Sequence, residues 1–161
     1  MEKGRIQICR SSRTQGGEEV KRIHTLRGRV TEGVLKQLIV DDGRLTHGYK
    51  VTRFVVANDQ TQAGASCFAT LGLDDKLTLE WNWENNNQIA WSSVRSSGTN
   101  GLEGPAFELV DPEHVVVRDL FIRAQVGGSD PQIVNYFIQL ESMELSDYQA
   151  IVQLTKENAQ S

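Results

Sequence analysis

The chain is poor in the residues and spacings that mark catalytic or cofactor-dependent proteins. Its two cysteines, Cys9 and Cys67, are far apart and form no CxxC pair. Two reduced thiols are therefore expected, not a disulfide scaffold or a zinc site. The three histidines, His24, His47 and His114, show no HxH or HExxH grouping. A cupin-type metal enzyme would need His and Glu clustered on adjacent strands. No GxSxG elbow supplies a nucleophile, and no glycine-rich loop opens a helix as a phosphate cradle. The acidic pairs Asp41-Asp42 and Asp74-Asp75, and Asp111 and Glu113 around Pro112, read as turn chemistry. No apolar run approaches the ~20 residues of a membrane helix. The opening MEKGRIQICRSS lacks the apolar stretch of a signal peptide, so assembly in a cytoplasm is expected. No enzyme, cofactor or metal is expected.

What remains is ordinary in bulk and uneven in charge. The 161 residues are 39% hydrophobic and 24% charged, which suits one globular domain with its own core. The net charge is −4, but residues 1–30 carry eight Lys/Arg against Glu2, Glu18 and Glu19. That segment is +5, leaving −9 on the rest. A basic arm, residues 1–19, thus precedes an acidic body, and Lys3, Arg5, Arg10 and Arg13 are its candidate contacts with a neighbouring subunit or nucleic acid. A polar, glycine-containing arm needs such a partner to become ordered.

The most strongly patterned stretch is Leu77 to Val94. Leu77, Leu79, Trp81 and Trp83 alternate with polar residues, and Ile89 and Trp91 resume the alternation after Glu84-Asn85-Asn86-Asn87. A period of two predicts a β-hairpin with one buried face, its tip made by asparagines that tolerate positive φ. It would carry all three tryptophans into the core and leave Glu84, Asn85, Asn86 and Asn87 as an exposed contact loop. Trp81, Trp83 and Trp91 with the surrounding amides also form the kind of set that stacks on sugars, the alternative reading of the same residues.

Other strands are expected at 20–26, 34–40, 49–57, 64–71, 107–110, 115–124 and 133–140, with Arg5–Ile8 as a short edge piece. Asp-Gly at 42–43 between two apolar runs predicts a hairpin joining 34–40 to 49–57. Small residues alternating in GASCFATL suit close packing on a second sheet, with Cys67 buried at its centre. Ser96–Gly104 is the longest irregular segment. Ser146 three residues before Gln149 is a capping-box pattern, followed by Tyr148, Ile151, Val152 and Leu154 at helical spacing. The sum is an all-β protein: a single β-sandwich of jelly-roll type at 20–145, about eight to ten strands, with the arm before it and a short C-terminal helix at 146–161.

The run DPEHVVVRDLFIRA, then VNYFIQLE, then the helix ending TKENAQS, resembles small structural proteins of bacterial-virus particles. The resemblance covers roughly residues 45–161 and implies a jelly-roll capsid, vertex or connector component without enzymatic activity. A self-associating virion subunit is therefore the leading expectation, partnered by itself, other virion proteins and, through the arm, nucleic acid. A neck or tail connector and a carbohydrate-binding module are the alternatives.

Overall fold

The structure, a computed structural model, describes residues 22–40, 43, 46–58, 66–95, 106–127, 132–146, 149–152 and 155. The arm with Lys3, Arg5, Arg10 and Arg13, the Arg5–Ile8 edge piece, Cys9, Asp41-Asp42 and the whole 96–104 loop lie outside the described residues.

Among the described residues, eight strands form two antiparallel sheets. They are β1 (Ile23–Thr31), β2 (Lys36–Ile39), β3 (His47–Asn58), β4 (Ser66–Gly72), β5 (Gln88–Arg95), β6 (Phe107–Val110), β7 (Asp119–Val126) and β8 (Ile133–Glu144). One sheet has the order β1-β8-β3, the other β2-β7-β4-β5-β6. Their inner faces share one core, with Leu26, Phe54, Val134 and Ile138 from the first and Leu38, Leu71, Ile89 and Ile122 from the second. Alternation writes this directly: in β8, Val134, Tyr136, Ile138 and Leu140 are buried while Phe137 faces out.

In β3 the buried residues Val51 and Phe54 are three apart, which a regular strand would put on opposite faces. A register shift between Val51 and Arg53 absorbs Thr52 as an extra residue and returns Phe54 and Val56 to the core. Gly33, at φ +73°, turns the chain out of β1. Beside it the Glu32 carboxylate accepts from the Val126 and Gln132 amides, at 3.1 and 3.3 Å, and clamps the β7–β8 connection.

Both corners between the sheets are stitched by side chains. Lys36 of β2 donates to the Arg29 carbonyl of β1 at 2.8 Å. Opposite, the Glu108 carboxylate of β6 accepts from Phe54 N–H of β3 at 2.8 Å, and Ser92 Oγ accepts from Val56 N–H at 3.3 Å. A two-way bridge between Tyr49 and Val116 completes that corner. The edge of β3 is thereby occupied instead of open to a passing strand.

Three expectations are corrected. The expected hairpin of 34–40 with 49–57 does not form: β2 pairs with β7 and β3 with β8, so the two strands lie in different sheets. The 115–124 strand begins only at Asp119, because Val115 and Val117 dive into a second small core with Leu145 and Ala150. The Leu77–Val94 hairpin is half absent, since its first arm is not a strand and only β5 is. At the C-terminus the capping box forms, with Gln149 N–H donating to Ser146 Oγ at 3.3 Å and Ser146 N–H to Gln149 Oε1 at 3.1 Å. Ala150 is the residue buried there, while Ile151 is exposed.

A candidate aromatic face on the five-stranded sheet

Leu73 to Asn87 leaves β4 and returns to β5 as a compact loop whose ends meet, Leu73 N–H donating to the Asn87 carbonyl at 2.9 Å. This is an Ω-type excursion, packed by its own side chains. It lies on the outer face of the five-stranded sheet and buries the row formed by Thr70 and Trp91. Gly72 makes the contact possible, because a Cβ there would sit 2.5 Å from Leu77 Cδ1 and 2.8 Å from the Asn87 carbonyl oxygen. Arg123, reaching up from β7, donates to the Leu77 carbonyl at 2.9 Å.

Gln88 is the polar key of the loop. Its amide is buried and uses both ends: Oε1 accepts from Asn82 N–H and from Trp91 Nε1–H, each at 2.9 Å. Nε2 donates to the Glu80 carbonyl at 2.8 Å and to Thr78 Oγ1 at 3.4 Å. A buried amide satisfied on all sides fixes one loop conformation.

The tryptophans therefore part company. Trp91 is 5% exposed, locked under the loop by Gln88, and does not present a stacking surface; as a ligand platform it is corrected. Trp83 is 63% exposed, so the expectation that it shares the core face of Leu77 is corrected too. Trp81 is half-buried at the rim, stacked on Phe107 with ring centroids 5.4 Å apart and edge-on to Phe68 at 6.2 Å. Its ring N–H is buried with no hydrogen-bond partner among the described residues.

The asparagine tip also differs from expectation. No described non-glycine residue has positive φ. The amides instead bond the backbone: Asn82 Oδ1 accepts from Glu84 N–H, Asn85 Oδ1 from Asn87 N–H, and Asn87 Nδ2 donates to Asp74. Asn85 and Asn87 are thus spent on the loop, and Glu84 and Asn86 are the tip residues left exposed.

What results is an apolar rim. Trp83, Trp81, Phe107 (40% exposed) and Leu109 (39%) run along β6, the edge strand of the sheet. Beside it is a shallow depression of about 610 Å³ lined by Phe68, Leu79, Glu80, Trp81, Ser93 and Gln125. No sequence signal pointed to Phe68, Ser93, Phe107 or Gln125, because the register across β7, β4, β5 and β6 is what aligns them. Among the described residues no three His, Cys, Asp or Glu side chains converge to hold a metal ion. No helix among them is long and apolar enough to cross a membrane. Comparison of the chain with protein-family models, with curated proteins and with solved structures finds no match.

Proposed function

We propose that the chain is a jelly-roll subunit that self-associates as a structural component of a virus particle, in a shell, vertex or ring. The observation that carries this reading is the nesting of the strand pairs. β1 pairs with β8, β2 with β7 and β4 with β5, the order left when a long antiparallel ribbon is rolled on itself. The remaining rung, β3 with β6, is made by the Glu108 carboxylate on Phe54 N–H instead of a ladder, while β6 pairs with β5.

The apolar rim supports the assembly half of the reading. Phe107 and Leu109 are large, exposed and on an edge strand, with exposed Trp83 on the neighbouring loop, so a second copy there adds both backbone pairing and buried area. The basic arm, Lys3, Arg5, Arg10 and Arg13, supplies a further means of linking subunits.

Light scattering behind size exclusion tests this. The full chain is expected as a defined oligomer that Trp83→Ser with Phe107→Ser reduces to monomer. A strict monomer at high concentration overturns the proposal, and a small closed ring turns it towards a connector.

A second reading, a carbohydrate-binding face, is favoured by the depression beside Trp81. It combines aromatic walls with Glu80, Ser93 and Gln125, the mixture that stacks on a sugar and bonds its hydroxyls. It uses Trp81 with Phe68 and leaves Trp83 and Trp91 out. Glycan binding abolished in Trp81→Ala, with the oligomer intact, would establish it over assembly.

A further inference from the structure

We propose that the outer face of the three-stranded sheet binds single-stranded nucleic acid, independently of the arm and of self-association. Opposite the aromatic rim, this face carries a different chemistry. Its outward positions are read from the register. Arg27 and Arg29 lie on β1, Asn135, Phe137, Gln139 and Glu141 on the central β8, and Lys50 and Arg53 on β3. Four cations meet two carboxylates there, Glu141 in register with Lys50 and Glu108 beside Arg53, in a chain whose net charge is −4.

The outer side of the other sheet leans the opposite way, with Asp74, Asp75, Glu80, Glu84 and Asp119 against Lys76, Arg95 and Arg123. The molecule is therefore polarised through its thickness, and a polyanion is drawn to one side of it.

Geometry selects the kind of polyanion. The cations stand as two rails on the outer strands, separated across β8 by two strand spacings, about 9.6 Å. Along β1, Arg27 and Arg29 are two residues apart, about 6.8 Å, close to the separation of neighbouring phosphates in an extended strand. Phe137 stands between the rails, 36% exposed and in register with Arg27 on one side and Val55 on the other. A ring exposed between cationic rails offers stacking to an unpaired base while the rails take the backbone. Duplex DNA, with its bases paired, has no use for it.

The existing contacts of the β3 rail are compatible with this. Arg53 sits 3.6 Å from Glu108, an exposed pair that contributes little and leaves other guanidinium donors outward. Lys50 donates one hydrogen to the Pro112 carbonyl at 3.1 Å, and an ammonium has three.

Fluorescence anisotropy with a labelled oligothymidylate and the full chain is the test. Arg27→Ser with Arg29→Ser is expected to weaken binding about tenfold at physiological salt and to lower the log–log salt slope by about 1.4, the counterion release of two single-strand phosphate contacts. Phe137→Ser is expected to weaken it about fivefold with the slope unchanged, the loss of one stacked base. Lys50→Ser with Arg53→Ser repeats the first test on the other rail should the β1 variant unfold. Absence of binding by the full chain overturns the proposal. So does loss confined to an Arg5→Ser/Arg10→Ser arm variant, or binding of polyglutamate in place of oligothymidylate. None of these readouts depends on oligomeric state, so failure of the assembly reading leaves this one standing, and the reverse.

Discussion

Replacing Gln88 by leucine isolates what holds the aromatic rim in place. The side chains are nearly the same size, so packing changes little and the hydrogen bonds are what is lost. Trp91 Nε1–H and Asn82 N–H lose their acceptor, and the Glu80 carbonyl and Thr78 hydroxyl lose a donor. Leaving the buried indole unsatisfied costs roughly 1–3 kcal/mol and each of the two partly exposed backbone bonds about 1 kcal/mol, together roughly 3–5 kcal/mol. At this chain length that lowers Tm by roughly 6–20 °C. The chain has a way to avoid part of the cost: the loop can lift from the sheet and give those groups to water. Trp91 would then lose its cover. Thermal unfolding and acrylamide quenching should therefore move together, with a tryptophan population protected in the native chain becoming accessible in Gln88→Leu. A Tm within 1 °C of wild type and unchanged quenching would refute the assignment of Gln88 as the key of the loop.

Two further outcomes follow from close packing and from a buried base. Gly72→Ala should destabilise by about 1–3 kcal/mol in urea unfolding, because the new methyl meets the Asn87 backbone oxygen as well as the flexible end of Leu77. His114 is half-buried, with both ring nitrogens shielded from solvent. Burial lowers its pKa from the ordinary 6.5, Asp111 opposes that and Lys50 adds to it. The unfolded chain thus binds the proton at higher pH than the native one. His114's contribution is complete above about pH 6.5 and is lost as pH falls below it. The urea midpoint of the native chain should fall from pH 7.5 to pH 5.5 by more than that of His114→Phe; equal falls would show that the imidazole is not the titrating group.

The strands were legible wherever one face is core and the other water. The alternation of β8 reads correctly from Ile133 to Leu140 although the strand runs on to Glu144, and Ser146 with Gln149 announced its cap because a capping box is local chemistry. Pairing partners were not legible, since Asp-Gly reports a turn and says nothing of which sheet the chain enters next. The most regular alternation in the chain, Leu77 to Trp83, was the most misleading. There the period of two comes from a loop that sets Leu77 on the sheet and Trp83 in solvent, and the decision between loop and strand is made by Gln88, Arg123 and Gly72, contacts from outside the stretch. The second core hid for a similar reason: Val115, Val116 and Val117 look like one strand, yet Val116 bridges to Tyr49 while its neighbours pack on Leu145 and Ala150.

The meeting of Leu73 with Asn87 has a consequence for how such a surface can change over generations. To the sheet, β4 and β5 are joined almost as if by a tight turn, with Gly72 in register with Gln88. Anything between those ends can be lengthened at a closure cost of only about 0.6 kcal/mol per doubling. Residues 79–86 can therefore be rewritten, or a peptide epitope spliced into them, without shifting a rung of either sheet, provided Leu77 and Gln88 stay to seat the replacement. The scaffold and the surface it displays are thus heritable separately. A lineage, or an engineer, can exchange what this face displays and keep the body that carries it.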